Sequence, residues 1–145
     1  MDIRELTARD AHLGFTAMQT LRPALTASSF SALVAAHMQE GYRLLGVFEG
    51  ASDEAIAVAG FRMGRNLAWG EHLYIDDLST LPEARGKGAA SLLLDWIAEE
   101  ARHLGIAQIH LDSGVQAERQ DAHRLYFRHG YRISSYHFSR PVLPA

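Results

Sequence analysis

The sequence contains no cysteine and only four prolines in 145 residues. Without cysteine, the chain can form no disulfide, no thiolate metal site and no cysteine nucleophile. No apolar run reaches the ~18–20 residues that cross a bilayer, and the charged start MDIRELTARD lacks the apolar core of a secretory signal. We therefore expect a cytoplasmic protein without a membrane partner, built as a single domain over residues 1–145.

An excess of positive charge is also missing. The formal net charge is −3, from 14 Lys and Arg against 17 Asp and Glu, so no basic field attracts phosphates and we expect no nucleic-acid partner. The eight histidines show no metal-ligand spacing, because no H-E-x-x-H pattern occurs and His123 and His129 do not share a helix face. The sequence therefore predicts no metal site.

Hydrophobic periodicity predicts the element order β-α-α-β-β-β-α-β-α-β. The expected strands are 2–6, 42–49, 55–63, 71–80, 106–112 and 131–139, with a turn at 64–66, and the expected helices end near residues 21, 40, 105 and 129. The strand–helix–strand unit over 71–112 implies a parallel pair, and the strands before it imply an antiparallel meander. The fold class is therefore mixed α/β (α+β).

One stretch, LSTLPEARGKGAASLLLDW, places glycines, cations and small residues where a strand gives way to a helix. The residues of this loop are Arg85, Gly86, Lys87, Gly88, Ala89 and Ala90. A helix N-terminus presents unpaired N–H groups, and glycine lets an anion approach the backbone. The loop chemistry by itself fits a phosphate cradle or a tight turn with solvated cations. Its spacing matches neither the P-loop nor the dinucleotide fingerprint.

The spacing does match another signature. Arg85-x-x-Gly88-x-Ala90 resembles the [QR]-x-x-G-x-[GA] motif of the GNAT superfamily of acyl-CoA-dependent N-acyltransferases, and Leu78-x-Thr80-x-Pro82 stands where that family has L-x-V-x-P. Residues 122–131, AHRLYFRHGY, resemble its A-x-x-[FL]-Y-x-x-x-G-[FY] block. The resemblance covers nearly the whole chain and is strongest over 74–131. It implies a mostly antiparallel central sheet flanked by helices, with a splayed parallel strand pair.

The resemblance implies acetyl-CoA as the co-substrate. Its pyrophosphate would lie on the backbone N–H groups of residues 85–90, and its pantetheine arm beside Leu78, Ser79 and Thr80, where the next strand splays away. His123 would help to shape the wall of this site. Arg119 stands where many members of the family carry asparagine, so it either contacts the CoA or faces solvent.

The resemblance also suggests catalytic groups. Tyr126 matches the family tyrosine that protonates the departing thiolate, although it could instead be a packing residue. Asp76 and Asp77 lie at the end of the strand beside the thioester, and Glu71 and Asp112 are further acidic candidates. Strand alternation predicts that only one of Asp76 and Asp77 faces the cleft unless a bulge intervenes, and we favour Asp76 as the base. Both could also be merely solvated.

The sequence thus predicts an N-acetyltransferase that transfers an acetyl (acyl) group from acetyl-CoA to a primary amine by direct attack. The acceptor is a small-molecule or protein amine, and an acidic lining would favour a cationic one. Homodimers are common in the superfamily, so a homodimer is one of the two oligomeric states, with the monomer, that the sequence leaves open. Two alternatives remain: a non-catalytic acyl-CoA-binding sensor or regulatory module, and a binder of nucleotide phosphates.

Overall fold

The computed structural model describes residues 1–144. These residues form two compact units, one from Met1 to Leu111 and one that begins at Asp112. The first unit contains β1 (Asp2–Leu6), α1 (Phe15–Leu21), α2 (Ala27–Gln39), β2 (Arg43–Phe48), β3 (Ala57–Asn66), β4 (Gly70–Thr80), α3 (Ala89–His103) and β5 (Ile109–Leu111). The second contains α4 (Gln120–Arg128). Within residues 1–144, none of the helices is both long and apolar enough to pass through a bilayer.

The strands form one sheet in the order β1-β2-β3-β4-β5. The first three pairs are antiparallel, and β4 and β5 are parallel. The parallel ladder begins where Leu73 lies opposite Ile109 and ends where Ile75 lies opposite Leu111, so β4 continues for five residues beyond its pairing with β5. The predicted mixed, mostly antiparallel fold class is confirmed.

The core lies around β2 and the first half of β3, because the residues there are apolar on both faces. Leu44, Leu45 and Val47 of β2 and Val58 of β3 are fully buried. On α3, Leu93, Leu94, Ile97 and Ala101 are buried, and this helical spacing sets the helix against the sheet. The side chains that lie near the carboxyl end of β4 are thus held by a packed scaffold.

A β-bulge interrupts the pairing of β3 with β4. Gly60 lies opposite Asp77 and Phe61 lies opposite Ile75, so Asp76 is an extra residue on β4. A bulge leaves its extra residue without a direct partner and changes the direction of the side chains that follow. This local irregularity decides where the two aspartates point.

Three sequence predictions differ from the structure. The predicted turn at 64–66 is wrong, because β3 runs to Asn66 and the turn occupies 67–69. β5 is shorter than 106–112. The predicted strand at 131–139 does not form in the described part of the chain, where Ile133 is 75% exposed and Phe138 is 91% exposed. These residues have strand propensity, but propensity alone does not supply the hydrogen-bonded neighbour that a strand requires.

Candidate active site

A cavity of about 550 Å³ lies in the first unit, at the bulged part of β4. This volume suits a small molecule, since ligand sites commonly enclose ~300–1,000 Å³. Its apolar wall comes from α1, α2 and the loop between them: Met18, Leu25, Phe30, Leu33 and Val34. Its polar groups are Arg22, His37, Glu40, Tyr42, Arg62, Asp76 and Asp77. The cavity therefore combines an apolar wall with charges of both signs.

Asp76 and Asp77 both line this cavity. Adjacent residues of a regular strand point to opposite faces, but the bulge at Asp76 breaks that alternation. The expectation that only one of them faces the cleft is therefore corrected. Glu71 is not among the lining residues; it is exposed and forms an ion pair with Arg65, with 2.7 Å between Oε1 and Nη2.

Asp77 is the more enclosed of the two carboxylates. Its side chain is 14% exposed, and the hydroxyl of Tyr42 donates a hydrogen bond to Oδ2 at 2.7 Å. Arg22 donates from Nε to Oδ1 at 3.0 Å. Both carboxylate oxygens are thus bonded to residues far away in the sequence, which fixes the orientation of the side chain.

Tyr42 reaches Asp77 because residue 60 has no side chain. A Cβ atom at Gly60 would lie 1.7 Å from the Tyr42 hydroxyl oxygen. Burial, followed by the negative charge of Asp77, raises the pKa of Tyr42 far above its ordinary value. Tyr42 therefore stays protonated and acts as a hydrogen-bond donor to the carboxylate.

Asp76 is held by Arg62 from the neighbouring strand. Arg62 donates from Nε to Oδ2 at 2.9 Å and from Nη2 to Oδ1 at 3.2 Å, which is a bidentate pair. Arg22 also donates from Nη2 to the backbone carbonyl of Asp76 at 2.9 Å. Each aspartate is thus matched by an arginine, and with Glu40 the cavity lining has three carboxylates and two guanidinium groups.

The loop before α3 has the geometry that an anion site needs. Gly86 and Gly88 have φ angles of 80° and 90°, which side chains disfavour. In the described chain no side chain caps the start of α3 at Ala89, so its first N–H groups can bond to an anion. Arg85 and Lys87 are exposed beside them. These residues fit the pyrophosphate of acetyl-CoA.

The strand that leads to this loop is only partly available for binding. Ser79 is buried, and its hydroxyl donates to the Ala17 carbonyl at 2.7 Å, so its side chain anchors β4 to α1. Leu78 and Thr80 are half-buried. Within the first unit this segment pairs with β3 alone, so its other edge has main-chain groups that a pantetheine amide could bond.

Tyr126 lies in the second unit, on α4. Burial raises its pKa, and the charge of Arg119 partly offsets this rise. Its ring centre lies 6.0 Å from that of Tyr131, whose pKa burial raises to about 12. Tyr126 is therefore a neutral phenol at neutral pH. Arg119 is half-buried at the N-terminal end of α4.

His123 also lies on α4 and ties that helix to the segment before it. Its Nε2 atom is 2.8 Å from the Gly114 carbonyl oxygen and 3.1 Å from the Ser113 hydroxyl. The Nε2 atom of His123 is thus within hydrogen-bond distance of two groups of the second unit. Asp112 begins this unit, and its side chain lies 3.6 Å from His137.

The sequence interpretation missed the three residues that hold the aspartates: Arg22, Tyr42 and Arg62. Arg22 and Tyr42 are distant in sequence from Asp77, and no spacing rule relates them. A signal for the bulge was present, since Gly60 interrupts the apolar strand AIAVAGFRM, and an isolated glycine in a strand often marks a bulge or a close approach.

Comparison with solved structures shows which fold this is. A Trypanosoma brucei acetyltransferase structure aligns with a TM-score of 0.80, at 17% identity, over 97% of this chain and 99% of that one. At that identity the match establishes the mixed acetyltransferase fold and nothing finer.

Sequence comparison then places the chain in a family. The model of the acetyltransferase (GNAT) family matches residues 8–131, so the chain belongs to this family and is an acyltransferase. YhdJ of Bacillus subtilis, described as an uncharacterized N-acetyltransferase, is 34% identical over 97% of this chain and 98% of its own length. The aminoalkylphosphonate N-acetyltransferase of Salmonella typhimurium is 41% identical, over 47% of this chain and 43% of its own.

Proposed function

We propose that this acyltransferase moves an acetyl group from acetyl-CoA to the primary amine of a small molecule by direct attack. The observation that carries the proposal is the cavity at the bulge of β4, where two carboxylates lie next to Leu78–Thr80 in the chain. A site that deprotonates an amine needs a carboxylate next to the acyl group, and β4 supplies both along one strand.

Acetyl-CoA would supply the activated acyl group as a thioester. Backbone N–H groups of residues 85–90 bind its pyrophosphate, and Arg85 and Lys87 add positive charge. The backbone of Leu78, Ser79 and Thr80 bonds to the pantetheine arm, and an N–H group there stabilises negative charge on the carbonyl oxygen. The glycine geometry and the uncapped helix start support this assignment.

Asp76 is the proposed proton acceptor for the attacking amine. Its side chain is 29% exposed, against 14% for Asp77, so it is the more accessible of the two. Asp77 is bonded by two residues, Tyr42 and Arg22, whereas the oxygens of Asp76 are bonded by Arg62 alone in the described chain, so Asp77 is better suited to hold the site together. The proton passes to Asp76 directly or through one water molecule.

Tyr126 is the proposed proton donor to the departing thiolate, on the resemblance of residues 122–131 to the family block. A tyrosine phenol carries its proton at neutral pH, so Tyr126 can donate one as negative charge builds on sulfur. The Salmonella relative is named for transfer to aminoalkylphosphonates, and that name supports a small amine acceptor here. We propose that the two units together form one acetyltransferase domain.

The test is release of free thiol from acetyl-CoA with a panel of primary amines. Asp76→Asn should lower kcat by about 100-fold or more, the usual worth of a general base. Asp53→Asn, in an exposed turn, is the matched control and should leave the rate unchanged. Gly88→Ala should raise KM for acetyl-CoA, since φ at this position is 90°. Tight CoA binding without transfer to any amine would overturn the proposal and favour a sensor.

A further inference from the structure

We propose that the acceptor is a zwitterionic amine, which carries an anionic carboxylate or phosphonate group and an apolar substituent beside its primary amine. This inference rests on the proposed function and names the substrate class of the same cavity. It follows from the way charges and apolar groups are arranged there.

The cavity contains two arginine–aspartate pairs. Arg62 pairs with Asp76 at 2.9 Å, and Arg22 pairs with Asp77 at 2.9 Å. Each pair presents a positive and a negative group close together. A zwitterion complements such a pair, because its ammonium group faces the carboxylate while its anion faces the guanidinium group.

The arginines have donors left for an anion. An arginine carries five N–H donors, and Arg62 uses Nε and Nη2 on the carboxylate of Asp76. Arg62 and Arg22 are 47% and 50% exposed, so their outer edges are open to a ligand. Guanidinium groups bind carboxylate and phosphonate oxygens in a bidentate way and lose less hydration than ammonium groups do.

Other amine classes fit less well. A diamine or a basic peptide would bring extra positive charge near Arg22 and Arg62. The lining carboxylate that could bind it, because no arginine pairs with it in the described chain, is Glu40, which is exposed to solvent. A simple alkylamine would satisfy a carboxylate but leave both guanidinium groups without a ligand anion. Only an amine that also carries an anion uses both signs of charge in the cavity.

The apolar wall adds a requirement of its own. Phe30 and Val34 are buried, and Leu33 is 44% exposed on the same helix, where all three line the cavity. Covering apolar surface is favourable by ~25 cal/mol per Å². The acceptor therefore gains affinity from an aliphatic or aromatic substituent that contacts α2.

Three matched amines test the inference: phenylalanine, 1-amino-2-phenylethylphosphonate and 2-phenylethylamine. They share the ring and the primary amine and differ in the anion. We expect kcat/KM for the better anionic amine to exceed that for 2-phenylethylamine by about tenfold or more, the worth of one charge-assisted hydrogen bond. The comparison of phenylalanine with the phosphonate then identifies which anion the cavity prefers.

Arg62→Gln, with Arg22→Gln as a second variant, tests the residues. We define the preference as the ratio of kcat/KM for the anionic amine to kcat/KM for 2-phenylethylamine. Each variant should reduce this ratio by about tenfold. Arg65→Gln is the control, since Arg65 lies on the same strand and pairs with Glu71 outside the cavity, and it should leave the ratio unchanged.

The outcomes separate this inference from the proposed function. Transfer to 2-phenylethylamine at an equal or higher kcat/KM would overturn the zwitterion and leave the acetyltransferase standing. An unchanged ratio in both arginine variants would likewise overturn it. Absence of transfer to any amine of the wider panel would overturn the proposed function and, with it, this inference.

Discussion

The hydroxyl of Tyr42 donates a 2.7 Å hydrogen bond to Oδ2 of Asp77. The two residues are 35 positions apart, and Gly60 lies opposite Asp77 in the β3–β4 ladder. Because a Cβ atom at position 60 would overlap the Tyr42 hydroxyl, glycine is what allows the bond. This relationship fixes one carboxylate of the cavity from outside its own strand.

Gly60→Ala should therefore displace Tyr42 and release Asp77. We expect the variant to lose stability by about 1–3 kcal/mol, as overpacked sites do, and kcat/KM to fall. Urea unfolding and the thiol-release assay measure these two effects. A variant with wild-type stability and rate would show that Tyr42 has another equally good position.

Tyr42→Phe separates the hydrogen bond from the packing. Tyr42→Phe should lower the free energy of unfolding by about 1.5–3 kcal/mol, because the lost hydrogen bond is made to a charged group. If Gly60→Ala acts through Tyr42, its effect on kcat/KM should shrink in the Tyr42→Phe background, which a double-mutant cycle measures. Additive effects of the two changes would contradict this coupling.

Tyr126→Phe tests the proposed acid. The variant should bind acetyl-CoA nearly as well as the wild type but turn over about 100-fold more slowly, since a general acid is commonly worth that much or more. Calorimetric titration gives the binding constant, and steady-state thiol release gives kcat. Unchanged turnover would remove Tyr126 from the acid role and leave it as a packing residue.

Arg43 should be difficult to replace, even by lysine. It donates to Glu5 at 2.8 Å and also bonds to Glu100, and its guanidinium carbon lies 4.9 Å from the centre of the Phe61 ring. Lysine cannot bridge two carboxylates with a planar fork, so Arg43→Lys should cost about 1–2 kcal/mol in urea unfolding.

The control for this prediction is Arg102→Lys. Arg102 pairs with Glu99 on the surface of α3, where the two side chains are 70% and 75% exposed. Such a pair contributes about 0–1 kcal/mol, so the control should unfold like the wild type. Equal losses in both variants would mean that the Arg43 network contributes no more than a surface pair.

His110 should make stability fall as the solution is acidified. Its ring stacks on Trp69 with 3.5 Å between ring centres, and burial, followed by the charge of His72, lowers its pKa. Between the native and the unfolded pKa of His110, the unfolded chain binds more protons than the folded chain. The stability that His110 contributes is therefore complete above pH ~6.5 and is lost as pH falls through the lower native pKa. Urea unfolding between pH 7.5 and 5.5 measures it, and His110→Gln should weaken the dependence.

Local patterns in the sequence predicted the elements that depend on local forces. Helical spacing of leucines predicted α3, and the motif around Gly88 predicted an anion loop whose glycines have positive φ. The antiparallel pairing of β2, β3 and β4 followed because short connections make neighbouring strands pair. The segment at 131–139 shows the limit, since its strand-forming residues form no strand in the described chain.

The sequence by itself thus determined the fold class, the family resemblance and the loop proposed for the pyrophosphate, because these depend on periodicity and spacing over a few residues. Only the tertiary structure decided the cavity. The bulge at Asp76 arises from the register of two strands, and the partners of the aspartates lie directly after α1, directly before β2 and on β3. These contacts join residues up to 55 positions apart, and packing of the whole sheet is what brings them together.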